Sequence, residues 1–217
     1  MYVPASFREV RPEKLHELIR AHNFGTLVSQ VDDELFATHL PFLLDSERGP
    51  HGTLIGHLAR ANPHWHSFHD PSSSESPTGP PALAIFTGPH AYISPNWYST
   101  ELSVPTWNYA AVHAYGVPTI VHDPVRVRAI LDATVRTHEE PPPNGWSTDR
   151  LPAEFVGKMA QGIVAFELVI TSLQGKWKLG QNRPSVDVAG AIAGLQSRGD
   201  TLDTAVADLM SDALSAF

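Results

Sequence analysis

GIVAFELVITSLQ, residues Gly162–Gln174, is the apolar run from which the fold is read. Val, Ile and Phe dominate it, and these β-branched and aromatic side chains suit a pleated surface, so the run reads as a strand. GKWKLGQ continues the sheet beyond it, after a turn at Gly175. On its N-terminal side, LPAEFVGKMAQ (151–161) reads as a helix and PPPNGW (141–146) as a turn. DPVRVRAILDATVRTHEE (123–140) reads as a helix capped by Asp123, with Val127, Ile130, Leu131 and Val135 at helical spacing. Further out, TWNYAAVHAYG and VPTIVHD suggest a strand pair, and ALAIFTG and AYI two more strands. Residues 70–81, DPSSSESPTGPP, form a low-complexity flexible loop; the strand pattern resumes after it, so it is no domain linker. TLIGHL is a strand that runs into ARANPHWHSF, where Pro63 starts a short helix. GTLVSQV and LFATHLPFLL are strands joined at Asp32-Asp33. RPEKLHELIRAH is a helix with Pro12 in its first turn and Leu15, Leu18 and Ile19 on one face. From Ser185 onward, Val188, Ile192 and Leu195 fall at helical spacing, and a last helix covers Leu202 to Leu214. This order predicts a mainly β protein with peripheral helices, a β-barrel rather than a βαβ nucleotide fold. Neither GxGxxG nor GxxxxGK[ST] is present.

Composition narrows the function. The 217 residues suffice for one large domain, with or without a small appendage. The formal charge of −8 disfavours a mainly electrostatic nucleic-acid binder, because neutralising phosphates takes clustered Lys and Arg. With no cysteine, disulfides, thiolate nucleophiles and Cys-ligated metals are excluded. MYVPASFREVRPEK lacks the apolar core of a signal peptide, and no apolar run approaches the ~20 residues that span a bilayer. The expected location is the cytoplasm, with no membrane partner.

Several polar and aromatic blocks stand at strand ends, where a rigid scaffold holds ligands. In GHLARANPHW, His57 ends a strand while Arg60 and Asn62 lie in the turn before a helix. A phosphate would meet an imidazole, a guanidinium and free helix N–H groups there. Equally, Asn62 caps the helix at Pro63 and Arg60 sits in solvent. In VPTWNYAAVHAYG, strand alternation puts Trp107 and Tyr109 on one face and Asn108 on the other. That arrangement suits an apolar wall with an amide partner for a flavin ring, or an aromatic core pair with a satisfied Asn. GKWKLGQNR offers Lys176, Lys178, Gln181, Asn182 and Arg183, as phosphate and ring contacts or as a solvated hairpin end. His64, His66 and His69 invite a metal, but no HExxH and no carboxylate set accompany them, and no metal is assigned. His138-Glu139-Glu140 reads as a helix end, where a cationic imidazole interacts favourably with the dipole. No GxSxG is present, and no catalytic constellation is evident.

Together, these blocks resemble the PaiB-like family of FMN-binding negative transcriptional regulators. The resemblance runs from MYVPASF to QNRPSVD and includes ATHLPFLLD, GHLARANPHW, FTGPHAYISPNWY, VPTWNYAAVHAYG, the HEEP…W segment and GKWKLGQNR. It implies an FMN-binding split β-barrel over residues 1–184, with a helical C-terminal extension, 185–217, packed on the same domain. It further implies a homodimer with the cofactor at the interface. Carried onto this chain, it puts His57, Arg60 and Asn62 at the phosphate end and Pro41 and Phe42 along the ring. Trp107 and Asn108 would close the pocket, with Gln181, Asn182 and Arg183 contributing from the C-terminal strand. This chain departs from the family at Gly180, where KLSQNR is usual, and a hydroxyl is lost. Ser99–Ser103 is shorter than usual, the loop before Pro81 is longer, and Val10-Arg11 replaces an acidic pair.

The function so implied is negative transcriptional regulation by an FMN-binding protein. The alternatives are a flavin-dependent oxidoreductase of the same fold and a binder of haem or another flavin-like ligand. No helix-turn-helix is evident, and the tail carries Asp200, Asp203, Asp208 and Asp212, so DNA as a partner rests on the resemblance. Regulation through a protein partner is the other route. If DNA is touched directly, Lys176, Lys178 and Arg183 are the expected contacts.

Overall fold

A computed structural model describes residues 1–73, 79–141 and 144–215. Part of the loop read at 70–81 (residues 74–78), and Pro142 and Pro143 of the PPPNGW turn, lie outside the described residues. In chain order the elements are β1 (Arg8–Glu9), α1 (Pro12–Ala21), β2 (Phe24–Val31), β3 (Glu34–Pro41), β4 (Leu43–Asp45) and β5 (Thr53–Ala59). They continue with β6 (Ala82–Ile93), β7 (Thr106–Val121), α2 (Pro124–His138), α3 (Ala153–Ala160), β8 (Ile163–Lys178), α4 (Ser185–Arg198) and α5 (Thr201–Ser215). Short 3-10 turns lie between some of them, including Pro63–Ser67 after β5.

The strands form an 8-stranded sheet in the order β3-β2-β6-β7-β8-β5-β4, with β1 paired to β8. The β2–β6 and β5–β8 pairings are antiparallel: Thr26 opposes Ile85, and His57 opposes Ala165. The hydrogen-bonded path is open, ending at β3 and β4. The mainly β class with peripheral helices is therefore as the sequence indicates.

Three strands are longer than their sequence punctuation suggests. ALAIFTG and AYI are one strand, β6; TWNYAAVHAYG and VPTIV are one strand, β7; and β8 runs straight through Gly175. Gly116 and Gly175 inside these runs mark close approach by neighbouring atoms, not turns. A Cβ on Gly116 would lie 2.3 Å from the Val169 carbonyl oxygen, and one on Gly175 would lie 2.2 Å from Leu15 Cδ2. Pro118 is accommodated in β7 with its carbonyl accepting the His69 N–H at 2.8 Å.

The chain divides into two compact units, and α1, β6, β7 and β8 each contribute to both. The first comprises Met1–Leu18, Thr87–Val112 and Gln174–Phe217. Its core joins Ala91 and Ile93 of β6 and Leu179 to Val188, Ala191 and Leu195 of α4 and to Val206, Ala207 and Met210 of α5. Helical spacing on α4 thus becomes a buried stripe. The second unit comprises Ile19–Phe86 and His113–Leu173. Phe42 stands edge-on to Phe86 at 5.4 Å and to Phe166 at 6.2 Å, and Phe68 lies 4.9 Å from Phe166. Each fully buried ring of this kind contributes about 1.5–3 kcal/mol by burial alone. Helix α2 is seated by Ile130 against Ile55 and Ala165. Asp123 caps it by accepting the Val125 N–H at 3.0 Å.

Candidate functional site

In the second unit, β5 delivers the GHLARANP block to a tight turn. His57 is half-buried, and burial pulls its pKa down. Its imidazole is therefore neutral at neutral pH and offers a hydrogen bond without a charge. Arg60 supplies the charge. Its main-chain N–H donates to the Gly162 carbonyl at 2.8 Å, its Nε to the Gln161 carbonyl at 2.9 Å and its Nη2 to the Ile163 carbonyl at 2.9 Å. The guanidinium also stands 5.8 Å from the Trp65 ring, whose Nε1 donates back to the Arg60 carbonyl. A guanidinium carries five N–H donors. Two are engaged, which leaves three on an exposed side chain. That donor set fits a phosphate: a charged fork anchored to two main-chain carbonyls.

Asn62 is engaged locally. Its Oδ1 accepts the His64 N–H at 3.0 Å, capping the 3-10 turn at Pro63, and its Nδ2 donates to Thr38 Oγ1 at 3.1 Å. His64 itself is fully buried. Its Nδ1 meets Thr38 Oγ1 and its Nε2 meets Ser29 Oγ, both at 2.8 Å, and Ser67 Oγ lies 2.9 Å from Ser29 Oγ. Burial lowers the His64 pKa, so one ring nitrogen donates and the other accepts. This hydroxyl–imidazole chain ties the turn to β2 and β3. The sequence assigned no metal to His64, and in the structure both of its ring nitrogens have hydroxyl partners. Among the described residues, no group of three or more His, Cys, Asp or Glu is arranged to hold a metal. Pro41 ends β3 half-buried, and the adjoining Phe42 lies in the core.

In the first unit, the alternation read in TWNY holds. Trp107 is 53% exposed and Asn108 is 2% exposed on the opposite face. Trp107 shares its face with His90 and Tyr92, at ring distances of 6.3 and 6.1 Å. Asn108 donates through Nδ2 to Met210 Sδ at 3.3 Å. Gln181 closes the end of β8: Oε1 accepts the Leu179 N–H at 2.8 Å and Nε2 donates to the Trp177 carbonyl at 2.7 Å. The turn requires φ of +87° at Gly180, which glycine adopts without strain. The loss of a hydroxyl there is matched to this conformation. Asn182 is exposed. Arg183 lies 4.2 Å from the Tyr98 ring centroid and donates to Ser103 Oγ at 3.1 Å.

The site residues thus gather in two places. His57 lies near the end of β5, with Arg60 and Asn62 just after it, and Pro41 and Phe42 belong to the same second unit. Trp107, Asn108, Gln181, Asn182 and Arg183 belong to the first. Sequence reasoning missed Asp187, which is fully buried. Its carboxylate accepts N–H bonds from Ser99 and Thr100 at 2.9 and 3.1 Å and the Thr100 hydroxyl at 2.7 Å. The Thr100 hydroxyl, ahead of the main-chain donors, pulls its pKa down despite burial. An acid in the first turn of a predicted helix was the available signal.

Comparison with known proteins bears on this geometry. The sequence model of a family described as "Putative FMN-binding domain" matches residues 1–172. The chain is 34% identical over 214 residues to the protease synthase and sporulation protein PAI 2 of Bacillus subtilis, covering 99% of this chain and 98% of that one. Among solved structures, it resembles the FAD and heme binding protein from Mycobacterium smegmatis with a TM-score of 0.54 at 18% identity, covering 84% of this chain and 78% of that one. It resembles the flavocytochrome Anf3 from Azotobacter vinelandii with a TM-score of 0.58 at 13% identity, covering 79% and 69%. At such identities, the likeness establishes a shared split-barrel fold alone.

Proposed function

The chain belongs to the PaiB-like family of FMN-binding proteins, and from that premise we propose that it is an FMN-binding negative transcriptional regulator that grips FMN by its phosphate at the His57–Asn62 segment. Arg60 carries this proposal. Its guanidinium is anchored by two main-chain carbonyls and keeps three donors for an anion. His57 adds a neutral donor, and Asn62 holds the turn in shape. In the first unit, Trp107 is an exposed aromatic side chain, the group that the family resemblance offers to the ring, and Asn182 and Arg183 follow β8 there. Gln181 supports them by fixing the turn. Bound FMN would supply reversible electron or hydride chemistry; the chain's own part is to bind, orient and shield it.

The deciding experiment is the visible spectrum and mass of whatever copurifies with the full chain, followed by titration of ligand-free protein with FMN. Flavin absorbance, FMN mass and saturable binding are the expected results. A haem spectrum, or no saturation by FMN, would overturn the flavin reading. The regulatory half is tested separately by transcription from candidate promoters with and without the protein.

A further inference from the structure

We propose that the first unit holds a second ligand site, for a small organic carboxylate with an apolar body. It is a groove between the N-terminal segment, the end of β8 and α5, with a cavity of about 210 Å³. Phe7, Trp177 and Leu209 give it apolar walls, while Arg8 of β1, Lys14 of α1 and Asp212 of α5 line it with charge. Leu179, 2% exposed, also lines it. Drug-sized sites run to roughly 300–1,000 Å³, so this groove takes a smaller molecule than FMN.

Charge selects the head group. Glu9 and Arg11, also on the wall, neutralise each other. The Glu9 carboxylate further accepts the Val10 and Arg11 N–H groups, each at 2.9 Å. The charges on that wall are satisfied. Among the described residues, neither Arg8 nor Lys14 has a carboxylate partner. Two free cations against the single Asp212 leave the groove one positive charge in excess. A monoanion balances that charge; a phosphate dianion would face Asp212 unfavourably. The aromatic and Leu walls supply affinity for a flat or branched apolar body.

The test uses the full-length protein, with and without saturating FMN. Benzoate is titrated against its neutral isostere benzamide, followed by ligand-observed NMR and tryptophan fluorescence. Benzoate should saturate in the range of about 1 mM or below and bind at least about tenfold more tightly than benzamide. Arg8→Gln and Lys14→Gln should each weaken benzoate about tenfold. Asp212→Asn should tighten it, a change of opposite sign that loss of folding cannot mimic. The proposal is overturned by equal affinity for the two probes, by no saturation up to about 10 mM, or by benzoate binding that is unchanged in Asp212→Asn and in the Arg8/Lys14 double variant. Competition between FMN and benzoate would assign the site to the flavin and overturn it too. Because the groove does not depend on the His57–Asn62 segment, failure of FMN binding leaves this test intact.

Discussion

Arg60 serves the local fold and the proposed ligand at once. Its Nε and Nη2 clasp the Gln161 and Ile163 carbonyls, and this clasp orients the remaining donors. Arg60→Ala should remove a charge-assisted bond of roughly 1.5–3 kcal/mol, a tenfold to hundredfold loss of FMN affinity. Riboflavin, without the phosphate, should bind the wild type weakly and be nearly indifferent to the change. Arg60→Lys keeps the charge but not the fork, so it should rescue only in part. Parallel FMN and riboflavin titrations measure this, and an unchanged FMN affinity in Arg60→Ala would remove the residue from the site. His64 is the second case. Replacing it with Leu removes one hydrogen bond each from Ser29 and Thr38, which keep Ser67 and Asn62 as partners, and should cost about 1–3 kcal/mol in urea unfolding. Its folded pKa is lowered by burial, so the unfolded state binds the proton more readily. Its stabilising contribution is then complete above the unfolded value of about 6.5 and is lost as pH falls below it. Wild type should therefore lose more stability than His64→Leu between about pH 7 and 5; parallel losses would refute this. The turn and its Asn62 cap were legible in GHLARANP. The role of His64 was not, because its partners lie 35 and 26 residues away and three neighbouring histidines imitate a metal motif.

Alternation along the strands was legible, since polar–apolar period reports which face is buried. It placed Trp107 and Asn108 on the faces where they are found. Strand continuity was not legible at the glycines. Gly116 and Gly175 look like punctuation in one dimension, and only the neighbouring atoms show that they admit a close contact. Gly116→Ala should thus be severe: its Cβ would meet the Val169 carbonyl oxygen at 2.3 Å and Leu168 Cδ2 at 2.6 Å. A loss of about 3 kcal/mol or more is expected, at the top of the overpacking range, because backbone cannot rotate away. Gly180→Ala has a different cause and a smaller size. Nothing lies closer to its Cβ than 3.6 Å, so only the positive φ is penalised, at roughly 1 kcal/mol. Chemical denaturation of the two variants ranks them, and a reversed order would mean that backbone conformation, not space, limits these strands. The same Gly180 variant should leave the Gln181 bonds, and hence the turn beside Arg183, largely in place.

At the scale of the molecule, the proposed assembly is a homodimer whose interface buries of order 2,000 Å², with light scattering as the check. A monomer at micromolar concentration would count against it. The proposed regulatory role raises a separate question, how the protein reaches its genes. Net charge is −8, which opposes approach to a polyanion. The sequence offered Lys176, Lys178 and Arg183 as the cations for direct contact, and each is engaged within its own unit. Lys176 is 8% exposed, with its ammonium 5.5 and 5.1 Å from the Tyr2 and Tyr109 ring centroids. Lys178 donates to Thr106 Oγ1 at 2.6 Å and to the Trp107 carbonyl at 2.5 Å, and burial, then its basic neighbours, pull its pKa down. Arg183 stacks on Tyr98, with Asp187 at 3.8 Å. Lys176 and Lys178 would have to give up contacts they already hold, and Arg183, which keeps free donors, has the Asp187 carboxylate 3.8 Å away, so direct DNA binding should be weak and driven by the counterion term. Promoter DNA titrated into FMN-saturated protein at physiological salt should show affinity that collapses with added salt and does not distinguish the promoter from a scrambled duplex. Tight, sequence-specific binding under those conditions would show a reading surface on some other part of the chain; its absence directs the search for the regulatory step to a protein partner or to chemistry at the flavin.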